Sequence, residues 1–353
     1  MLRLLDLGTV PAPVSQSVYH AVAETARAGD APTLIIVSPE TGYVCVGFHQ
    51  VASREVDRAY CEAEGILVGR RLVGGGAVWL DADQVFWHLI LPRWTATVEA
   101  LYARFLPAQV RAYRRLGIAA EHRPVNDLVV GRKKIGGTGA ARIGDATVLV
   151  GSLLFDFPVQ RMARVLKVSS EKFRDKMVAS LEEYMTSMRR ELGVVPDRAR
   201  ATAALVEEMA LAVGERIEPG RLSDAEQLRS DQYAAQLFDP AFVYQREGWI
   251  APGVKIQEGI RLSEGVHKAP GGLVRVIYRE RDGLFDDVLI GGDFFVDPAD
   301  GLDRVAQALV GQSVGADSVR RAWDRWASNL SVPGVTREDL AMAFQNAAEL
   351  VPL

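Results

Sequence analysis

Cysteine is almost absent from this 353-residue sequence. Its two cysteines, Cys45 and Cys61, are too few for a disulfide framework and lack the CxxC spacing of a metal site. The histidines are dispersed and also lack metal-ligand spacing. A chain of this length can bury enough apolar surface to fold without such cross-links. The sequence therefore excludes the disulfide-rich and zinc-stabilised classes.

Long apolar runs and an excess of charge of one sign are also missing. No run reaches the roughly 18 apolar residues of a membrane span, and Met1–Gln16 lacks the continuous apolar core of a signal peptide. We therefore expect a cytoplasmic protein that does not contact membranes. The net charge of -4 and the pI near 5.9 give no general electrostatic case for binding nucleic acid.

The order of secondary-structure patterns predicts an α+β protein of two domains. β-type runs and helical segments mix in the first part, helices dominate from Pro158 to about Arg216, and a small α+β unit follows. We place the boundary near residue 260, which gives domains 1–260 and 261–353. Thr97–Leu116 is predicted to be a helix, and Asp282–Gly283 a hairpin turn. The polar stretch Glu218–Trp249 is only weakly periodic.

The first segment with chemical potential contains Arg70, Arg71, Val73, three glycines (Gly74, Gly75 and Gly76), Ala77 and Val78. Three consecutive glycines weaken a sheet, so some compensating role is expected. Backbone that approaches the phosphate or carboxylate of a ligand, with arginine charge beside it, is one interpretation. A wide loop with solvated arginines is the other. The spacing matches neither a Walker loop nor a Rossmann fingerprint.

The second segment runs from Asn126 to Gly139. A tight hairpin about Gly131–Arg132 would lead a lysine along a strand into the glycine-rich sequence Gly136–Gly139. A lysine in this position can neutralise an acyl phosphate or an α-phosphate. The neighbouring Asn126 and Asp127 suit a ribose, a metal ion or an attacking amine. Two adjacent lysines at a hairpin tip are, however, also typical of a solvated turn.

In combination, the two segments resemble the lipoate–protein ligase family, which belongs to a superfamily with biotin–protein ligases and octanoyltransferases. Gly151–Leu154 is similar to the family's strand after the lysine loop, and the chain from about residue 262 is similar to its small accessory domain. The resemblance implies a catalytic domain built on a mixed, twisted β-sheet flanked by helices, followed by a small α+β accessory domain at 261–353.

The resemblance also implies a set of site residues. Lys134, rather than Lys133, matches the family's essential lysine, and Asp127 is a candidate ligand for Mg²⁺. Residues implied to bind the substrate or the acyl-adenylate are Arg70, Arg71, Val73, Gly74, Gly75, Gly76, Ala77, Val78, Asn126, Asp127, Gly136, Gly137, Thr138, Gly151 and Ser152.

Three positions depart from the family's usual residues. The family usually has Ser or Thr at the position of Val73, often Ser at that of Gly137, and often His at that of Val150. These substitutions remove hydroxyl and imidazole contacts, so the preferred acid need not be free lipoate.

The activity implied is ATP-dependent: lipoate or octanoate is converted to an acyl-AMP and transferred to a lysine of a lipoyl carrier. The carrier would be the glycine-cleavage H protein, the E2 of a 2-oxoacid dehydrogenase or a specialised lipoate-binding protein. Octanoyl or lipoyl transfer is an alternative, but transferases of the superfamily need a cysteine beyond the lysine loop, and both cysteines precede it. A biotin ligase is disfavoured because the GRGR-type loop is absent. A non-catalytic binding or regulatory module is the remaining alternative.

Overall fold

The structure is a computed structural model that describes residues 1–168, 170–247 and 260–350. The chain forms two compact units. The first contains Met1–Cys45, Val56–Leu72 and Val78–Val243, and the second contains Val46–Glu55, Val73–Ala77 and Tyr244–Leu353. The predicted boundary near residue 260 adjoins residues 248–259, which are outside the described residues. The division into 1–260 and 261–353 therefore stays a prediction.

The first part of the chain supplies two sheets. Their strands are β1 (Leu2–Val10), β2 (Thr33–Pro39), β3 (Tyr43–Val46), β4 (Leu67–Arg70), β5 (Val78–Leu80), β6 (Gln84–Leu91), β7 (Ala120–Arg123), β8 (Asp127–Val130), β9 (Lys133–Ile143), β10 (Ala146–Leu154) and β11 (Ile217–Pro219). The large sheet has the order β11-β1-β2-β6-β10-β9-β8-β7, and the small one has the order β4-β3-β5. In the large sheet β1 is parallel to β2 and β11, whereas the other neighbouring strands are antiparallel.

Helices cover both faces of the large sheet. The helices before residue 244 are α1 (Ala12–Thr25), α2 (Ala52–Glu55), α3 (Arg58–Ala63), α4 (Val98–Arg115), α5 (Val159–Val165), α6 (Glu171–Tyr184), α7 (Met188–Leu192), α8 (Arg198–Val213), α9 (Asp224–Leu237) and α10 (Pro240–Val243), of which α2 belongs to the second unit. On one face, Tyr19 of α1 packs against His88 with ring centroids 4.5 Å apart. On the other face, the indole of Trp87 donates a hydrogen bond to Gln109 of α4. Burial on both faces explains why β2 and β6 are nearly continuous apolar runs.

Local signals in the sequence account for several of these elements. The predicted helix at Thr97–Leu116 is confirmed as α4: the side chain of Thr97 caps its start by accepting a hydrogen bond from the Ala100 amide. It ends before Gly117, whose φ of +89° is a left-handed conformation that glycine adopts easily. The predicted hairpin about Gly131 is confirmed as the β8–β9 turn, where Gly131 has φ +59°.

The second unit contains an antiparallel sheet covered by helices. Its strands are β12 (Ile260–Ala269), β13 (Gly272–Arg281), β14 (Leu284–Gly292) and β15 (Ala348–Glu349), in the order β14-β13-β12-β15, and its helices are α11 (Gly301–Leu309), α12 (Ala316–Trp326) and α13 (Arg337–Gln345). Asp282 and Gly283 have φ of 52° and 78°, which confirms the predicted tight hairpin. Phe285, Ile290 and Leu340 belong to one buried cluster that joins sheet and helices.

Both units are therefore α+β, and the predicted fold class is confirmed. Within the described ranges, no helix combines the length and apolarity that crossing a membrane requires.

Candidate functional site

A β-bulge at the start of β9 decides where the side chain of Lys134 points. Asp127 of β8 is opposite Gly137, whereas Val129 is opposite Lys134, so β9 contains one extra residue in this interval. Side chains directly opposite each other lie on the same face of a sheet. The bulge therefore places Lys134 on the face of Asp127 and Gly137, whereas in a regular strand residues 134 and 137 would lie on opposite faces.

Lys134 is fixed through both its side chain and its backbone. Its Nζ forms an ion pair with Oδ1 of Asp127 at 2.6 Å. Its carbonyl accepts a hydrogen bond of 2.8 Å from the amide of Thr186, in the segment that follows α6. A Cβ atom at Gly137 would lie 3.0 Å from both Cε and Nζ of Lys134. The glycine thus leaves the space that the lysine occupies.

The carboxylate of Asp127 divides its two oxygens between different partners. Oδ1 contacts Lys134, and Oδ2 accepts hydrogen bonds from Arg123 at 2.9 Å and from the hydroxyl of Tyr184 at 3.2 Å. Burial by itself would raise the pKa of Asp127, but the Lys134 and Arg123 charges outweigh it and hold the pKa below its usual value. Asp127 is therefore an anion at neutral pH.

Asn126 and Thr138 hold the two strands together beside this carboxylate. The side-chain amide of Asn126 donates a hydrogen bond to the carbonyl of Thr138. In return, the Thr138 hydroxyl donates to the Asn126 carbonyl at 2.9 Å, and the Thr138 amide donates to the same carbonyl at 3.1 Å. These contacts give both residues a role in the geometry of the strands. Their predicted contact with substrate stays a prediction.

Gly151 and Ser152 lie on the adjacent strand, β10, where Gly151 is opposite Thr138. A Cβ atom at Gly151 would lie 2.5 Å from the indole of Trp87, so only glycine fits there without repacking. Gln109 accepts a hydrogen bond from Trp87 at 3.1 Å and donates one to the Ser152 carbonyl at 2.6 Å. This stretch of β10 is thus fixed from the α4 side.

Three neighbouring strands, β8, β9 and β10, and the turn before β8 bring together one group of the predicted residues: Asn126, Asp127, Lys134, Gly136, Gly137, Thr138, Gly151 and Ser152. Exposure alternates along β9, because Gly137 and Gly139 are partly exposed whereas Gly136, Thr138 and Ala140 are buried. The exposed positions have no side chain. Beside Lys134 the sheet therefore presents a partly exposed strip of bare backbone.

The two arginines of the first segment make backbone contacts in the first unit. Arg70 is fully buried, and its Nε donates a hydrogen bond of 2.9 Å to the carbonyl of Val243. Arg71 is half-buried and donates to the carbonyl of Cys45 at 3.1 Å. Val78, in β5, is opposite Cys45. Arg70 thus has a structural contact, and the predicted contacts of these residues with a ligand stay predictions.

The remaining residues of that segment, Val73–Ala77, belong to the second unit. A Cβ atom at Gly74 would lie 2.2 Å from the carbonyl oxygen of Phe294, and Gly75 has φ +101°. The carbonyl of Val73 accepts a hydrogen bond from the Phe48 amide at 3.1 Å. Close packing and a left-handed backbone thus require glycine at two positions of the triplet. The predicted ligand contacts of Val73, Gly74, Gly75, Gly76 and Ala77 stay predictions.

Neither cysteine is activated as a nucleophile. Cys45 and Cys61 are both buried. Burial raises the pKa of Cys45 despite the opposing charge of Arg71, and it raises the pKa of Cys61 to about 11. Since the thiolate is the reactive form, both thiols are inert at neutral pH.

Sequence reasoning missed Arg123 and Tyr184, which contact Asp127 from β7 and from the end of α6. Arg123 is opposite Asp127 across the β7–β8 pair, so a strand assignment at residues 120–123 would have indicated it. Tyr184 lies 57 residues from Asp127 in the sequence, and no local pattern connects them.

Comparison with known proteins adds a family to this geometry. Residues 12–210, more than half of the chain, match the family described as the lipoyl protein ligase A/B catalytic domain. The chain is 28% identical over 259 residues to lipoate-protein ligase A subunit 1 of Thermoplasma acidophilum, with 70% of this chain and 95% of that protein covered. It is 27% identical over 270 residues to octanoyltransferase LipM of Kyrpidia tusciae, with 69% and 98% covered.

A solved structure is similar as well. Lipoate-protein ligase A bound with ATP matches with a TM-score of 0.60 and 22% identity, covering 69% of this chain and 98% of that one. At this identity the match establishes a common fold.

Proposed function

The chain belongs to the lipoyl protein ligase A/B catalytic-domain family, and from this premise we propose that it is an ATP-dependent lipoate– or octanoate–protein ligase. The observation that carries the proposal is the position of Lys134. A cationic amine stands beside a strip of bare glycine backbone, on a strand whose geometry is fixed by a bulge and by contacts from α6. This arrangement suits an acyl-phosphate intermediate, which needs positive charge next to space for an acyl chain.

The proposed reaction has two steps. A carboxylate oxygen of the acid attacks the α-phosphorus of ATP, the bond to the β-phosphate oxygen breaks, and pyrophosphate leaves. A neutral lysine amine of the carrier then attacks the acyl carbon, the bond to the AMP oxygen breaks, and AMP and a proton are released. Lys134 would stabilise negative charge on the phosphate and on the acyl oxygen as it develops.

Ligation rather than acyl transfer is proposed, although one relative is named an octanoyltransferase. Transfer through a thioester requires a thiol that ionises and reaches the substrate. Cys45 and Cys61 are both buried with raised pKa values, and the sequence contains no other cysteine. An ATP-dependent ligase, which needs no thiol nucleophile, therefore agrees better with these residues than a transferase does.

The nucleotide in the proposal is ATP, which a lipoate-protein ligase A of the same fold binds. Magnesium would reach the site with the nucleotide, because Mg²⁺ is usually held by one or two carboxylates, water and the phosphates. A contact of Asp127 with the ion stays a prediction, since in the structure its oxygens contact Lys134 on one side and Arg123 and Tyr184 on the other. The phosphates and water would hold the ion, which would offset phosphate charge. The described residues contain no group of three or more His, Cys, Asp or Glu side chains that could hold a metal ion.

The acid in the proposal is lipoate or octanoate, and the acceptor is a lysine of a lipoyl carrier. The bare strip formed by Gly137 and Gly139 suits an extended aliphatic chain, since it offers backbone without bulky side chains. Val150 lies beside the strip, opposite Gly139, and is apolar. The carrier would be a glycine-cleavage H protein, an E2 of a 2-oxoacid dehydrogenase or a specialised lipoate-binding protein. We assign the chemistry to residues 1–260 and an accessory role to 261–353.

Mass spectrometry of intact carrier domains tests this proposal. Each carrier is incubated with the protein, ATP and one acid from a panel that includes lipoate and octanoate. A parallel reaction replaces ATP and free acid with an octanoylated carrier as the donor. We expect the acyl mass to appear on a carrier only in the first reaction. Acylation in the second reaction alone would identify a transferase, and acylation in neither would favour a non-catalytic binding module.

A further inference from the structure

Arg123 and Tyr184 contact the oxygen of Asp127 that Lys134 does not use. Nη2 of Arg123 lies 2.9 Å from Oδ2, and the hydroxyl of Tyr184 donates to the same oxygen at 3.2 Å. Arg123 also donates to the Tyr184 hydroxyl at 3.2 Å, and its guanidinium carbon lies 5.9 Å from the centre of the tyrosine ring. The three side chains thus form a closed group on the far side of the carboxylate from the lysine.

The same end of α6 also fixes the backbone of the lysine. Tyr184 is the last residue of the helix, Met185 forms a bridge with Lys134, and the next amide, that of Thr186, donates to the Lys134 carbonyl. One short segment therefore positions both the backbone of Lys134 and the counter-ion of its side chain.

Lys134 has to change partners if it is to act on a substrate. In the structure its Nζ is 2.6 Å from Asp127, whereas in the proposed reaction it faces a phosphate or an acyl oxygen. Asp127 is mostly buried, with 18% of its side chain exposed. A carboxylate in such surroundings that loses its only counter-ion is strongly destabilised. If Lys134 were the sole partner, Asp127 would therefore oppose its departure.

We propose that Arg123 and Tyr184 are positioning residues for the reaction, which keep Asp127 compensated and in place while Lys134 turns to the substrate. This inference rests on the proposed function. Arg123 supplies the charge that remains when the lysine leaves, and Tyr184 holds both the carboxylate and the guanidinium in their orientation. The alternative is an ordinary surface ion pair, which contributes little to stability and nothing to the rate.

Steady-state kinetics of four variants separate these roles. Arg123→Gln removes the positive charge, Arg123→Lys keeps it on a different side chain, and Tyr184→Phe removes the hydroxyl. Arg115→Gln is the matched control, because Arg115 of α4 is as exposed as Arg123 and pairs at 2.6 Å with Glu207 of α8. The measured quantities are acid-dependent pyrophosphate release, giving kcat and the KM of ATP and of the acid, and the thermal midpoint of unfolding.

We expect Arg123→Gln to lower kcat by about tenfold, with the KM of the acid changed by less than about threefold, since the loss occurs when Lys134 moves rather than when the acid binds. Arg123→Lys should recover most of this loss. Tyr184→Phe should lower kcat by about threefold, and Arg115→Gln should behave as the unchanged protein.

Two results would overturn the inference while leaving the ligase intact. In one, the kcat of Arg123→Gln equals that of the control Arg115→Gln. In the other, its kcat falls together with a large drop in thermal midpoint and Arg123→Lys does not restore it, which identifies a structural role. If the unchanged protein releases no pyrophosphate with any acid, the proposed function fails, and this inference fails with it.

Discussion

Lys133 and Lys134 are adjacent, yet the structure gives them different surroundings. Lys134 forms an ion pair with Asp127 on the face that also contains Gly137. Lys133 is exposed, and its Nζ lies 3.5 Å from the carbonyl of Glu182. The two residues therefore form a natural pair of test and control for the proposed chemistry.

We predict that Lys134→Ala lowers the rate of acyl-adenylate formation by about 100-fold or more, the range observed when a group that stabilises developing negative charge is removed. The fold should persist, because Asp127 retains Arg123 and Tyr184 as partners. Pyrophosphate release and circular dichroism measure the two effects.

Lys133→Ala should stay within about threefold of the unchanged protein, since surface lysines contribute little. Equal rates for both alanine variants would remove Lys134 from the mechanism.

At the scale of elements, the bulge in β9 and the glycine at residue 137 depend on each other. The bulge directs Lys134 over Gly137, and a Cβ atom there would lie 3.0 Å from the end of the lysine side chain. A flexible side chain can yield to such a contact at low energetic cost. A substitution at residue 137 can therefore displace the amine of Lys134 without destabilising the strand.

Gly137→Ala should consequently lower the rate of adenylation by about tenfold, because a displacement of about 1 Å in a reacting group has effects of this order or larger. The midpoint of urea denaturation should hardly change. Gly29→Ala is the control, since an added Cβ there would meet no atom within 4 Å and Gly29 is not among the predicted site residues. A Gly137→Ala variant as active as Gly29→Ala would show that the position of Lys134 does not limit the rate.

Much of the element structure was predictable from short-range signals. The β8–β9 hairpin and the Asp282–Gly283 turn follow from residues that adopt positive φ, and α4 follows from its cap and its terminal glycine. The helix α9 was missed within a stretch described as polar and weakly periodic, although Ser223 and Glu226 form a capping box at its start. The buried face of α9 contains the polar residues Glu226 and Ser230 beside Tyr233 and Leu237, so its apolar periodicity is weak, and here the cap was the usable signal.

The candidate site was predictable only in part, because its parts meet through long-range packing. Local sequence and family resemblance pointed to Lys134 and Asp127, and the structure brings these into contact. Tyr184 is far in the sequence from Asp127, which it contacts. Phe294, whose carbonyl leaves room only for a glycine at residue 74, is likewise far from Gly74. The bulge in β9 also escapes sequence reasoning, since alternation of apolar residues cannot be read where glycines are frequent.

At the scale of the whole molecule, two buried histidines link stability to pH. Burial lowers the pKa of His88 from 6.5 to about 3, and burial together with the nearby His88 and Arg71 lowers that of His20 well below its usual value. The unfolded chain therefore binds protons at these positions below about pH 6.5, where the folded chain does not. These two histidines therefore lower the free energy of unfolding as pH decreases from 6.5 towards 3. Above pH 6.5 they do not make it depend on pH.

Each histidine should contribute a slope of about 1.4 kcal/mol per pH unit in this range. Urea denaturation at several values between pH 5 and pH 6 measures the total slope, and comparison with a histidine variant separates the histidine contribution from that of the carboxyl groups. His88→Phe should reduce the slope by about that amount, whatever its effect on stability at pH 8. An unchanged slope would mean that His88 is protonated in the folded protein.

The central claim is that the protein activates a carboxylic acid by adenylation. Exchange of labelled pyrophosphate into ATP, measured without any carrier, isolates this first step. We predict exchange that requires lipoate or octanoate and that Lys134→Ala lowers by about 100-fold or more. Absence of exchange with every acid, together with ATP-independent movement of an octanoyl group from one carrier to another, would contradict the claim.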